Sequence, residues 1–348
     1  DLTISNSNVS TASAVVSFQT SVTTDAATNN TLMNTNVTGN GSLTTGVAIN
    51  ISGTAIGSGA GANMNNNNQI VNNAVRQAQV GIFSAGSATT TRNSNNVYSL
   101  NSLDFIGASA MGRVGIMVLF EDSPDVLANT VGNITNTGAS DVMGITIGSN
   151  AASNTMTAGA DVINATISGN NVYELVQTGT FSSVGINIAA APSGTTLVSN
   201  NIVNRVFCNG TAGDFACGIY YGGGVGALNV YHNTVVVNGN ALTGASQPNM
   251  AIGINGTTPT VDIRNNILGC AGSNGFNGNT GIGLAYTSTA GNYANLISNY
   301  NVIFVNGITS GVGRTGGLAA GIQRVTLIDW QTETGRDANS INVAATFV

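Results

Sequence analysis

The chain has 348 residues, a formal net charge of −6 and only 6% charged residues. Its 8 basic residues are all Arg, with no Lys, so no basic patch exists to meet a phosphate backbone and nucleic-acid binding is excluded. A content of 46 Gly would suit a disordered chain, but 42% hydrophobic residues in strand-like patterns argue for a packed core.

Taken in chain order, an Asn-anchored phrase recurs. It opens with Ile4-Ser5-Asn6-Ser7-Asn8-Val9 and has a degenerate copy at Asn30. Asn72-Asn73-Ala74-Val75 and Asn95-Asn96-Val97-Tyr98 follow, then a degenerate copy at Asn129. The later copies are Asn170-Asn171-Val172, Asn200-Asn201-Ile202, His232-Asn233-Thr234, Asn265-Asn266-Ile267 and Asn299-Tyr300-Asn301-Val302. With the second Asn as anchor, the last four intervals run from 30 to 35 residues. A second phrase, Gly followed by an apolar residue, lies between anchors at Gly46, Gly81, Gly115, Gly144, Gly185, Gly218, Gly253 and Gly283. The residues after these glycines alternate apolar with small or polar, the period of a strand.

Each period therefore predicts one strand at the Asn phrase and one at the Gly phrase. Strands this short bury their apolar faces only by stacking coil on coil. The anchors Asn73, Asn96, Asn171, Asn201, Asn233, Asn266 and Asn301 are expected to form a ladder of side-chain amides at one corner. Asn also tolerates the left-handed backbone that a sharp corner needs.

Several shorter features bear on chemistry. The apolar run Val114 to Phe120 is too short to span a membrane and reads as a buried strand. Beside it, Glu121, Asp122 and Asp125 are the densest acids, read either as oxygen ligands for Ca²⁺ or as a solvated turn at Pro124. Glu174 is expected to meet Arg205 one coil on, as a surface pair. Cys208 and Cys217 flank a short loop that a disulfide could close, while Cys270 reads as a small buried hydrophobe. Tyr220, Tyr221, Tyr231 and Arg264 form a candidate sugar-contacting surface, with Arg264 placed to stack on Tyr231. The single His, His232, occupies a slot that is Asn in other coils, so it reads as a ladder substitute and not as part of a triad. In the tail, Thr326 is an N-cap, Leu327 to Thr334 a short helix and Gly335 its stop, with Trp330 packing over the last coil.

These phrases resemble the right-handed parallel β-helix (pectate-lyase-like) repeats of secreted bacterial surface proteins. The segment from Leu327 to Ser340 resembles the closing segment of such domains in Bacteroidota-type exported proteins. The resemblance implies one all-β domain over 1–348, a right-handed parallel β-helix of nine or ten coils with a capping tail at 326–348. It also implies an extracellular or cell-surface location, consistent with a chain that opens mid-pattern without a signal peptide. Enzymes of this kind carry clustered carboxylates on neighbouring coils. Three residues past the anchors stand Arg76, Ser99, Gly132, Glu174 and Asn204, where no acid stacks on an acid. The expected function is a non-enzymatic structural or adhesive solenoid: a surface fibre, filament subunit or stalk segment. It needs no cofactor beyond the candidate Ca²⁺ and has glycans as candidate partners. The alternative is a carbohydrate-binding or polysaccharide-degrading β-helix. The near-identity of the first and last Asn phrases predicts end-to-end association or continuation of a longer solenoid.

Overall fold

The computed structural model describes residues 2–20, 25–56, 64–88, 90–148, 162–179, 181–189, 191–208, 214–237, 249–270, 281–287, 291–305, 310–318 and 321–344. Three large sheets wrap one core, with 11, 9 and 10 strands, here called sheets 1, 2 and 3. Each full coil runs from a sheet 1 strand to a sheet 2 strand to a sheet 3 strand. Ser183–Ile188, Thr195–Ser199 and Ile202–Cys208 make one such coil. Every strand pairs in parallel with its equivalent one coil on, except the last strand of sheet 1. The chain is an all-β parallel solenoid with a single α-helix among the described residues, Leu327–Thr334.

The turn from sheet 2 into sheet 3 explains the Asn doublets. Its first residue is left-handed at Asn72, Leu100, Ala128, Gly169, Asn200, His232, Asn265 and Tyr300, with φ between 52° and 70°. Its second residue is a buried Asn: 73, 101, 129, 170, 201, 233, 266 and 301. The doublet thus splits two tasks that the sequence reading assigned to one residue. The first Asn turns the chain and the second builds the ladder. From Asn101 onward each ladder Oδ1 accepts the backbone N–H and the Nδ2 of the Asn one coil earlier, as between Asn170 and Asn201 at 2.9 Å for both. The Nδ2 of Asn201 in turn donates to Asn233 Oδ1 and back to the Ile167 carbonyl, again at 2.9 Å. All four hydrogen-bonding positions of the amide are used without water.

Two expected ladder members need correction. Asn171 is exposed on its strand, because Gly169 supplies the left-handed corner and the doublet is shifted by one. Asn96 belongs to a second, shorter ladder at the entry to sheet 2, where Asn30, Asn68 and Asn96 bond in turn. His232 holds the turning position and is exposed, so it substitutes for the turning Asn and not for a ladder amide.

The Gly phrase has a packing cause. A Cβ on Gly185 would sit 2.4 Å from Val203 Cγ1 and 2.6 Å from the Gly218 carbonyl oxygen. The same collision recurs at Gly81, Gly115, Gly144, Gly218 and Gly283, each under a Leu, Val or Ile of sheet 3. Gly46 and Gly253 fall outside this column, and Ala48 and Ala251 fill its slots inside the core. We expect Gly185→Ala to cost about 1–3 kcal/mol through overpacking, read as a lower urea midpoint. An unchanged midpoint would show that sheets 1 and 3 part without strain.

The last coil is closed by the tail. Thr326 and Asp329 form a reciprocal capping box, and Gly335 ends the helix at φ 66°. Gly313 takes the position that Leu284 holds one coil earlier, and the buried Trp330 ring fills the missing side chain's place. The indole N–H donates to Asp337 Oδ2 at 2.8 Å. Asp337 Oδ1 accepts the last ladder amide, Asn301 Nδ2, at 3.0 Å, while Ser340 Oγ accepts the Asn301 backbone N–H at 2.9 Å. A carboxylate and a hydroxyl together replace the next rung. Ile322–Arg324 runs antiparallel along the final parallel strand of sheet 1, and Ile341 bridges to Val302 on sheet 3.

Candidate functional site

Strand register decides which sequence candidates reach the surface. Tyr221 is fully buried, its hydroxyl donating to the Gly226 carbonyl at 2.8 Å. Tyr220 is 8% exposed and packs with Val184, Cys217, Met250 and Ile282 on the outer side of sheet 1. Neither can serve as a sugar platform. The six-residue strands of sheet 1 from Val47–Ser52 to Asn249–Ile254 are buried along their whole length, so this sheet presents no open face there.

The acidic candidates also separate. Glu121 is fully buried and occupies the position that Asn93 holds one coil earlier. Its carboxylate accepts from Ser84 Oγ at 2.9 Å and from the Tyr98 hydroxyl at 3.1 Å. Asp122, the next residue along the strand, points the other way, and its Oδ1 accepts from Ser123 and Asn164. The candidate Ca²⁺ set of Glu121, Asp122 and Asp125 is therefore not assembled, because alternation puts Glu121 inside. Among the described residues no group of three acid, His or Cys side chains is placed to hold a metal ion. Burial pushes the Glu121 carboxyl up to about 7, against the downward pull of hydrogen bonds from Ser84, Asn96 and Tyr98. Burial, and next the Glu121 charge, raise the Tyr98 hydroxyl well above its ordinary value.

The expected disulfide is absent: Cys208, Cys217 and Cys270 are all buried thiols. Cys208 ends a sheet 3 strand and belongs to the central core, whereas Cys217 faces the outer side of sheet 1. Most of the loop between them, 209–213, lies outside the described residues. Cys217 bonds to the Ile219 carbonyl, and burial, then the nearby Cys270, raise its thiol well above its ordinary value. Glu174 and Arg205 do pair, at 2.8 Å, on an exposed corner.

The outer face of sheet 2, unlike that of sheet 1, is open. Tyr231, Arg264 and Asn299 are register partners on three successive strands. The Arg264 guanidinium does not stack on Tyr231. It makes a two-point contact with the Asp262 carboxylate at 2.7 and 2.8 Å. Burial and a hydrogen bond to Asp262 raise the Tyr231 hydroxyl, which places both partners on one carboxylate. Beyond Arg264 lies a cleft of about 440 Å³ lined by Ile297, Asn299, Tyr300, Arg336 and Ala338 among others. The tail turn after the helix forms its far wall.

Comparisons with protein-family models, with curated proteins and with solved structures find no match for this chain.

The cleft residues Asn299, Tyr300 and Arg336 were not singled out by sequence reasoning. One signal was present: Tyr300 stands between two Asn, in a phrase whose other copies place Asn, Gly, Leu, Ala or His there. The contribution of Arg336 depends on the tail folding back, which no local pattern announces. Its guanidinium reaches the Tyr293 carbonyl at 2.8 Å.

Proposed function

We propose that the protein is an extracellular structural or adhesive β-solenoid, a fibre, filament or stalk element without catalysis. The observation that carries this reading is the unbroken amide ladder from Asn73 to Asn301, terminated by Asp337 and Ser340. Ten strands of sheet 3 at ~4.8 Å spacing make a shaft roughly 45 Å long, tied along its axis by side chains as well as backbone. The likeness of its repeats and closing segment to pectate-lyase-like, secreted bacterial surface β-helices supports the extracellular placement. End-to-end association would engage the first coil, whose strands Leu2–Ser5, Ala14–Gln19 and Thr31–Met33 each end a sheet. At the other end, the closing tail makes the side of the last coil the surface for such a contact.

Labelling of intact producing cells with an antibody to the protein is expected to stain their surface, and staining only after lysis would sink the proposal. Incubation with polygalacturonate, xylan or chitin, with and without Ca²⁺, is expected to release no product. Turnover abolished by a single Asp or Glu substitution would replace this reading with the enzymatic one. A second reading, carbohydrate contact, is favoured by the Tyr231–Asp262–Arg264 strip on sheet 2.

A further inference from the structure

Tyr300 is the largest side chain in its column. Its backbone is left-handed, at φ 59°, in a position where the other coils use Asn72, Leu100, Ala128, Gly169, Asn200, His232 and Asn265. Asn and Gly take this conformation at little cost, whereas a bulky aromatic side chain there is an outlier. The ring does not offset that cost by packing, since the residue is 57% exposed. Leu100 shares this conformation and is 56% exposed, so what sets Tyr300 apart is the set of polar groups around it.

The surroundings suit one class of ligand. Tyr300 borders the cleft together with Arg264, Asn299 and Arg336. The Asn299 Oδ1 is used by the backbone N–H groups of Tyr300 and Asn339, at 3.0 and 2.8 Å. That leaves its NH₂ without a protein partner among the described residues. Of the lining charges, Arg336 and Arg264 are set against Asp337 and against Asp262, which pairs with Arg264 beside the cleft. An exposed ring offers a flat apolar surface with a polar tip, and the carboxylate, guanidinium and amide offer a fixed set of acceptors and donors. A sugar ring presents the matching faces: C–H groups on one side and paired hydroxyls at its rim.

We propose that this cleft is a binding subsite for a neutral oligosaccharide, with Tyr300 as its platform and the Asp262–Arg264 pair and Asn299 as its hydroxyl-reading groups. The proposal rests on the carbohydrate-contacting form of the function above. It places the site on sheet 2 at the capped end of the shaft, where the tail supplies one wall.

The column itself supplies the control variant. Ala128 occupies the equivalent position at φ 52°, so Tyr300→Ala should fold as the parent does, with an unfolding midpoint no lower. Calorimetric titration of the full chain with cellotetraose, chitotetraose and maltotetraose should show binding of at least one. Tyr300→Ala should weaken that binding by about tenfold or more, as for an anchoring aromatic, while Tyr300→Phe keeps most of it. Binding by Tyr300→Ala equal to the parent's would overturn the subsite while leaving carbohydrate contact elsewhere on the chain. No binding of any of the three sugars by the parent chain at millimolar concentration would overturn the carbohydrate reading as a whole. Binding of tetragalacturonate alone would overturn the assignment to a neutral sugar.

Discussion

Replacing Asn201 with Leu should destabilise the solenoid by about 3–5 kcal/mol, since several buried polar groups lose their partner at once. Asn201 Oδ1 accepts from both the backbone and the side chain of Asn170, and its Nδ2 donates to Ile167 and Asn233. Leu is close in size but offers none of these contacts, and the site is fully buried, so water cannot stand in. Asn171→Ser is the matched control, because that side chain is exposed and lies outside the ladder. Its effect should stay within about 0.5 kcal/mol. Urea unfolding would give both values, and hydrogen exchange would show protection lost first in Thr195–Ser199 and Ile202–Cys208. A solenoid can open locally, since each coil contacts mainly its neighbours. Equal midpoints for the two variants would mean that the ladder records the fold without supporting it.

Glu121→Gln should remove most of a pH dependence that the parent chain shows between pH 4.5 and about 7. In the folded chain burial raises this carboxyl from the ordinary 4.5 to about 7. Over that interval the folded chain still holds a proton that the unfolded chain has released. Stability is therefore fully present below about pH 4.5 and falls as pH rises, with the loss complete once pH passes the folded value. At about 1.4 kcal/mol per pH unit, the loss amounts to roughly 3 kcal/mol. Gln carries no charge to desolvate and can still bond to Ser84 and Tyr98, in a column where Asn93 already holds an amide. The variant should match the parent near pH 4.5 and exceed it by roughly that amount at pH 8. Tyr98 stays protonated throughout, so it does not confuse the comparison. Parallel stability profiles for the two chains would show that Glu121 is solvated in solution.

The repeat was legible because its causes are local or recur at a fixed spacing. Asn beside Asn announces a turn and an amide rung. Gly before Ile announces a strand pressed against its neighbour, and Thr326 with Gly335 announces the ends of a helix. Errors of one residue were the common failure. The doublet at Asn170 and Asn171 resembles the doublet at Asn200 and Asn201, yet its ladder member is the first residue and not the second, because Gly169 takes the turn. In a strand such a shift sends the side chain to the opposite face.

The sequence by itself determined the parallel stacking, the column of amides, the scarcity of charge and the capped tail. Each of these follows from residue type at a repeated interval. Only the tertiary structure decided that Glu121 lies inside and Asp122 outside, and that Tyr220 and Tyr221 are covered while Tyr300 is bare. It also decided that Cys208 and Cys217 sit on separate layers and that Arg336 reaches the cleft. Those outcomes depend on which face the register presents and on what packs over it, and both are set by segments distant in the chain.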